Sequence, residues 1–273
     1  MRILLCSDGS PDAAQAVRFG MEIARGSNAP ISLLGVVEHP RDEDKLRSSL
    51  ETLGREVEMI GTAWNIKLRH GHADEQILDE ATEWQADLIV LGRAGQRGLT
   101  RFIMGATANR ILQYARCPVL LHKGHQITLK KILVCTAGGE PGLRNVDVAG
   151  QVAEYAQAEV TVMHVMSQVA LSDRAYLPDL DASAEELIDR QTREGLHLKA
   201  AIEQLAARSV RSVPKIRHGF VVDEILAELR EGQHDLLVVG AHSAHGLTRW
   251  LLDDVTADLL EETNLPVLVV RGT

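Results

Sequence analysis

The chain has 273 residues, of which 45% are hydrophobic and 25% charged, a composition typical of soluble globular domains and long enough for two of them. Its formal net charge is −9 and its longest Lys/Arg run is Lys130-Lys131, which argues against nucleic acid or an anionic membrane surface as a partner. No apolar run approaches the roughly 20 residues of a membrane span, and the N-terminus resembles a strand instead of a signal peptide, so we expect a cytoplasmic protein.

Aliphatic runs in the first half predict five strands, because buried parallel strands are continuous runs of aliphatic residues. Aromatic residues make up only 3% of the chain, so the cores must be aliphatic. The runs are residues 3–6, 31–37, 66–69, 88–91 and 119–121. Between them, apolar residues recur at helical spacing. Alternating strands and helices with short connections predict an α/β fold, with a parallel sheet and helices on both faces. In such folds ligands bind beyond the carboxyl ends of the strands, which makes the residues just after each strand the ones of interest.

The second half repeats the first. An offset of 148 residues places Arg69-His70-Gly71 on Arg217-His218-Gly219 and Pro118-Val119-Leu120 on Pro266-Val267-Leu268. Near the start the offset is 129, so the second copy contains a 19-residue insertion, which we place in a loop around residues 167–183. We therefore predict two tandem Rossmann-like domains, residues 1–123 and 130–273, each with a five-stranded parallel sheet. The linker, about 123–129, is short enough to keep them packed together.

Glycines follow the fourth predicted strand at Gly92 and Gly95, and Gly105 precedes the next helix. Residues without side chains let backbone N–H groups approach an anion, and a helix N-terminus adds favourable partial charge. The spacing is neither that of the phosphate-binding loop of NTPases nor that of the dinucleotide-binding turn. Arg93, Arg97 and Arg101 fall in the same segment, and we expect one of them to contact a phosphate.

The spacing Gly92-x2-Gly95-x9-Gly105 resembles the ATP-binding signature of the universal stress protein family, G-x2-G-x9-G-[ST]. Asp8 after the first strand and the Cys-Pro-Val-Leu-Leu segment of the fifth strand are also similar to that family. The resemblance covers nearly the whole chain, twice. It implies two domains of the adenine nucleotide alpha hydrolase-like type.

The resemblance also assigns roles to individual residues. Asp8 would bind ribose or adenine, the backbone around Val36 would meet the adenine edge, and the three glycines with Ala106-Thr107 would hold the phosphates. Ala106 departs from the signature, which has Ser or Thr there, and so lacks a hydroxyl donor worth about 0.5–1.5 kcal/mol. Thr107 follows one residue later, and on a helix we expect it to point elsewhere. The resemblance implies no catalytic residue, and we recognise no metal-ligand set in the sequence.

The second copy has lost most of this pattern. Its equivalent segment is Gly240-x2-Ser243, Asp253-Asp254 stand where Gly105-Ala106 are, and Ala137 replaces Asp8. Two carboxylates at a helix start suit the helix, but they repel a triphosphate by on the order of several kcal/mol in a partly dry cleft. We therefore expect a second copy that does not bind nucleotide.

Taken together, the sequence favours a stress-response sensor or regulator that binds ATP in its first domain, with ADP or AMP as alternatives and Mg²⁺ as a companion of the nucleotide. Slow ATP hydrolysis and an interaction module without nucleotide are the competing hypotheses. The last strands of the two copies, 118–122 and 266–271, would otherwise be exposed sheet edges, so we predict that they pack together in an intramolecular pseudo-dimer. The family resemblance implies further homo-oligomerisation.

Overall fold

The computed structural model describes residues 1–92, 104–166, 182–241 and 254–271. Within these ranges the chain forms ten strands and nine α-helices. The strands are β1 Ile3–Ser7, β2 Ile31–Val37, β3 Trp64–His70, β4 Leu88–Leu91, β5 Val119–Leu121, β6 Lys131–Cys135, β7 Glu159–Met166, β8 Ser212–His218, β9 Leu236–Ala241 and β10 Val267–Arg271. The helices are α1 Pro11–Arg25, α2 Glu43–Glu58, α3 Ala73–Glu83, α4 Ala106–Tyr114, α5 Gly139–Ala156, α6 Ala184–Asp189, α7 Arg193–Ala207, α8 Val221–Gly232 and α9 Asp254–Glu262.

All ten strands lie in one sheet, in the order β3-β2-β1-β4-β5-β10-β9-β6-β7-β8. Within each copy the five strands are parallel, which confirms the predicted α/β fold and its parallel sheets. The copies join where β5 pairs antiparallel with β10, as predicted for the two last strands. The β5 and β10 edges of the two copies therefore cover each other, and β3 and β8 remain as the outer strands of the sheet.

The junction between the copies has an approximate two-fold symmetry. Leu120 of β5 pairs with Leu268 of β10, and the offset of 148 makes these two residues equivalents of each other. On one face of the sheet α1 packs against α5, and Gly26 lies against the carbonyl group of Tyr155. Tyr155 is the second-copy equivalent of Gly26 at the offset of 129. A Cβ at position 26 would overlap that carbonyl oxygen, so glycine is needed for this close approach.

Two apolar cores cover the two faces of the sheet, and each runs through both copies. Helices α1, α2, α5 and α7 pack on one face, and α3, α4, α8 and α9 pack on the other. Both cores are mainly Leu, Ile, Val and Ala, as the scarcity of aromatic residues predicted. None of the described helices has the length and apolar character needed to cross a membrane.

The strand register locates the insertion in the second copy. Ile31 pairs with Trp64 in the first copy, whereas Val160 pairs with Ser212 in the second, so the offset grows from 129 to 148 between β7 and β8. Residues 167–181 of the predicted loop lie outside the described ranges. Ser183 ends it by capping α6, with its hydroxyl accepting from the Glu186 backbone N–H and the Glu186 carboxylate accepting from the Ser183 N–H.

Candidate functional site at the carboxyl ends of the first-copy strands

A cavity of about 250 Å³ lies at the carboxyl ends of β1, β2 and β4, beside the starts of α1, α3 and α4. The strand order reverses between β1 and β4, which is where open α/β sheets bind their ligands. The inner wall is apolar, with Leu34, Ile77 and Leu91 among its residues, and Asp8 and Glu38 are the charged residues described in the wall. The volume is just below the roughly 300–1,000 Å³ of typical small-molecule sites.

Four of the residues singled out in the sequence meet at this cavity: Asp8, Val36, Gly92 and Thr107. Two others, Gly105 and Ala106, lie next to it at the start of α4 but are not part of its wall. The remaining three predicted site residues, Arg93, Gly95 and Arg101, lie outside the described ranges, as does Arg97.

Asp8 belongs to the turn that leads from β1 into α1. Its Oδ1 accepts a hydrogen bond of 2.8 Å from the Ser10 backbone N–H, and the Ser7 hydroxyl accepts one of 3.2 Å from the N–H of Gly9, whose φ is +78°. The Ser10 hydroxyl in turn caps α1 by accepting from the Ala13 N–H. These local bonds hold the exposed Asp8 carboxylate at the rim of the cavity.

Gly92 has a packing role that the sequence pattern does not distinguish from a binding role. A Cβ there would lie 2.6 Å from the Ala13 Cα and 2.9 Å from its backbone nitrogen, so the end of β4 can approach α1 only with glycine. The repeat keeps this glycine as Gly240, where a Cβ would meet the Asn145 side-chain amide nitrogen at 2.8 Å. Packing alone therefore requires glycine at position 92, with or without a ligand.

The start of α4 places Ala106 and Thr107 in different surroundings. Gly105 is the N-cap residue, with φ −65° and ψ 155°, and among the described residues no side chain caps the helix. Ala106 is exposed, whereas Thr107, which we expected to point elsewhere, lies in the cavity wall. Its place in the wall depends on how α4 packs at the strand ends, which helical periodicity alone does not specify, and the direction of its hydroxyl relative to a phosphate stays a prediction. The missing hydroxyl of Ala106 thus falls at a position outside the wall.

Sequence reasoning missed Glu38 and Cys6. Glu38 directly follows β2, and its Oε1 accepts a 3.0 Å hydrogen bond from the N–H of Ala73, the first residue of α3. Applied to every strand, the rule that ligands bind at strand ends would have found it. Burial strongly raises the pKa of the Cys6 thiol, to which the neighbouring Cys117 and Glu80 also contribute, so Cys6 is a neutral apolar wall residue at physiological pH.

The second copy is built differently at the equivalent place. Thr256 stands where Ala108 lines the first-copy cavity, and its hydroxyl donates a 3.0 Å hydrogen bond to the carbonyl oxygen of Gly240. This bond ties the first turn of α9 to the end of β9. Asp254, one of the two carboxylates noted in the sequence, begins α9, while Ser243 and Asp253 lie outside the described ranges.

Comparison with known proteins points to one family. The model of the Universal stress protein family matches residues 1–123 and again residues 128–271. A universal stress protein of Mycolicibacterium smegmatis is 25% identical over 295 residues, which cover 98% of this chain and 96% of that protein. Universal stress protein YxiE of Bacillus subtilis is 29% identical over 147 residues, covering 52% of this chain and 98% of its own.

The fold is shared with a solved structure along its full length. The crystal structure of a universal stress protein from Archaeoglobus fulgidus superposes with a TM-score of 0.76 at 16% identity, covering 99% of this chain and 98% of that one. At this identity the likeness concerns the fold alone.

Proposed function

Because the chain belongs to the universal stress protein family, we propose that it is a stress-response protein whose first copy binds an adenine nucleotide. ATP is the first choice, with ADP or AMP as alternatives, and the protein acts as a sensor or regulator. The observation that carries the proposal is the cavity at the strand-order reversal, into which the separate segments bearing Asp8, Val36, Gly92 and Thr107 converge.

The chemistry of the cavity suits the parts of such a ligand. An apolar wall of Leu34, Ile77 and Leu91 suits a purine ring, and the carboxylate of Asp8 at the rim suits ribose hydroxyl donors. The start of α4, whose N-cap residue Gly105 has no side chain to cap it, offers backbone N–H groups and the positive end of a helix dipole to phosphates. A Mg²⁺ ion that accompanies the nucleotide would be held chiefly by the phosphates themselves.

A regulatory role is favoured over catalysis because the acidic groups of the wall already serve the fold. Asp8 accepts from the Ser10 N–H and Glu38 from the Ala73 N–H, and the Cys6 thiol is neutral. General-base catalysis of hydrolysis would need a carboxylate aimed at the attacking water. Weak ATP hydrolysis is the alternative within the same cavity.

The second candidate function is an interaction module that binds no nucleotide. It is favoured because the fold accounts for both Gly92 and Asp8 without a ligand. Gly92 allows the close contact with Ala13, and Asp8 accepts a hydrogen bond from the Ser10 N–H. A single binding measurement separates the two candidates.

Isothermal titration of the full chain with ATP, ADP and AMP is that measurement. We expect about one site per chain, because the second copy carries Asp254 at the start of α9 and Thr256 bonded to Gly240. Two equal sites would contradict the assignment to the first copy. No heat signal, with no nucleotide co-purifying, would favour the interaction module.

The double substitution Gly105→Asp/Ala106→Asp tests the position of the phosphates. It gives α4 the acidic start of the second copy, and Gly105 has a φ that aspartate adopts without strain, so the helix should remain intact. We expect ATP affinity to fall by about tenfold or more through charge repulsion. Asp254→Ala in the second copy is the control and should leave the titration unchanged, because Asp253 and the bond between Thr256 and Gly240 remain. Gly92→Ala is unsuitable, because it would disturb the contact with α1 as well as any ligand.

A further inference from the structure

A second cavity, of about 520 Å³, opens between α8 and α9 of the second copy, and we call it the α8–α9 groove. Its floor is apolar and consists of Phe220, Val221, Val222 and Val255. Phe220 is 72% exposed, which is unusual for a large aromatic residue in a chain that contains only three phenylalanines. This groove is separate from the nucleotide cavity, which belongs to the first copy.

The first copy has an ion pair where the second has this groove. There the Asp74 Oδ2 of α3 lies 2.7 Å from the Arg110 Nε of α4 and bridges the two helices. At the offset of 148, Val222 stands in place of Asp74 and Asp258 in place of Arg110. The second copy has thus lost the bridge between its two helices and gained an apolar side chain facing a carboxylate.

The rim of the groove is acidic. Asp223, Asp258 and Glu262 all line it and all are exposed. Among the described residues that line it there is no Lys or Arg, and none of the ion pairs between described residues involves these three carboxylates. An apolar floor with an acidic rim complements a ligand that is apolar at its centre and basic at its flanks.

From this complementarity we propose that the α8–α9 groove docks a basic segment of a partner protein. An apolar side chain of that segment packs against Phe220 and Val222, and flanking Lys or Arg residues pair with Asp258 and Glu262. The same carboxylates repel phosphate groups, so nucleic acids, phosphopeptides and anionic lipid surfaces do not fit this site. The proposal does not depend on nucleotide binding in the first copy.

Selection from a random peptide library displayed on phage, with the full chain immobilised, tests the proposal directly. We expect the enriched peptides to carry an apolar residue flanked by Lys or Arg. A synthetic, fluorescently labelled copy of an enriched peptide is then titrated with the full chain by anisotropy. Its affinity should decrease as NaCl is raised, because the flanking ion pairs are solvent-exposed.

The informative variant is Val222→Asp/Asp258→Arg, which restores the ion pair of the first copy and closes the groove. We expect the peptide to bind it about tenfold more weakly or worse, and Phe220→Ala to weaken binding severalfold. Glu185→Gln on α6 is the matched control, because it changes the net charge by the same amount at an exposed site that does not line the groove. Unchanged circular dichroism and urea midpoints show that the variants are folded.

Three results would overturn the proposal: no enrichment above an empty support, enriched peptides without basic residues, or equal affinity for the double variant and the wild type. Light scattering distinguishes a partner protein from a second copy of this chain as the occupant of the groove. A dimer of the wild type that dissociates in the double variant would assign the groove to a second copy of this chain instead.

Discussion

At the scale of single residues, Glu228 illustrates a buried ion cluster that both copies share. Its side chain is 3% exposed and pairs with Arg217 at 2.7 Å and with Lys215, while His234 Nε2 lies 3.1 Å from its Oε1. Glu80 occupies the equivalent position in the first copy. Burial alone would raise the pKa of Glu228, but hydrogen bonds from Lys215, His234 and Arg217 outweigh it and hold the pKa below the usual range.

This lowered pKa predicts an acid-sensitive contribution to stability. A carboxylate whose pKa is lower in the folded state stabilises the protein above its unfolded pKa of about 4.3, and this stabilisation is lost as pH falls through the folded pKa. Glu228→Gln should lower the free energy of unfolding by about 1–3 kcal/mol at neutral pH, because it removes the buried charge to which Lys215 and Arg217 donate, while Arg217 keeps Glu224 and Glu231 as partners. It should also flatten the decline below about pH 4, as measured by urea unfolding at several pH values.

Glu203→Gln on α7 is the control for this prediction. Its side chain is 67% exposed and lies 4.0 Å from Lys199, so we expect a change within about 0.5 kcal/mol. Equal effects of the two substitutions would contradict the role assigned to the cluster.

At the scale of elements, each copy stabilises the last helix of the other. Lys123, just after β5, donates its Nζ to the carbonyl oxygens of Leu260 and Thr263 at the end of α9. Arg271, its equivalent at the offset of 148, donates from the end of β10 to the Gln113 carbonyl oxygen in α4. Burial lowers the pKa of Arg271 to about 10, so it stays charged at neutral pH. Both cations thus meet the negative end of a helix dipole across the junction.

Removing either cation should weaken the junction. We expect Lys123→Met and Arg271→Met each to lower the free energy of unfolding by about 1–2 kcal/mol, since buried carbonyl groups lose a charged donor. Lys199→Met, at a half-exposed site on α7, serves as the control and should change it little. Urea unfolding measures all three. Variants at 123 and 271 that are as stable as the control would show that these contacts do not stabilise the helix ends.

At the scale of the whole molecule, the ten-stranded sheet is continuous because β5 and β10 cover each other. Residues 1–123 expressed alone would expose the edge of β5. In the full chain this edge pairs with β10 almost two-fold symmetrically about Leu120, so the β5 of a second fragment can take the place of β10. We therefore expect this fragment to dimerise through β5, which light scattering with size exclusion measures against the full chain at the same molar concentration. A folded fragment that stays monomeric would contradict this expectation.

Homo-oligomerisation of the full chain, as the family resemblance implies, stays a prediction. In the full chain the edge of β5 is taken by β10, so any oligomer must use another surface. The outer strands β3 and β8 and the α8–α9 groove are the surfaces that such an experiment would compare.

The sequence by itself determined the strands, the repeat and the edge of the sheet at which the candidate cavity lies. Buried parallel strands must be aliphatic runs, so the pattern of residues 88–91 and 119–121 was sufficient to predict β4 and β5. The rule that parallel sheets bind ligands at their carboxyl ends pointed to the residues after each strand, and Asp8 and Gly92, singled out by the family resemblance and the glycine spacing, line one cavity there. These inferences are local, because they depend on spacing along the chain and on the geometry of any parallel sheet.

Only the tertiary structure decided which atoms meet. It placed Thr107 in the cavity wall, explained Gly92 by its contact with Ala13, and joined Lys123 to a helix that ends about 140 residues later. Such contacts depend on how helices cross the sheet and on the direction and register in which β5 meets β10. Neither is encoded in spacing or periodicity, since both arise when distant apolar surfaces are buried together.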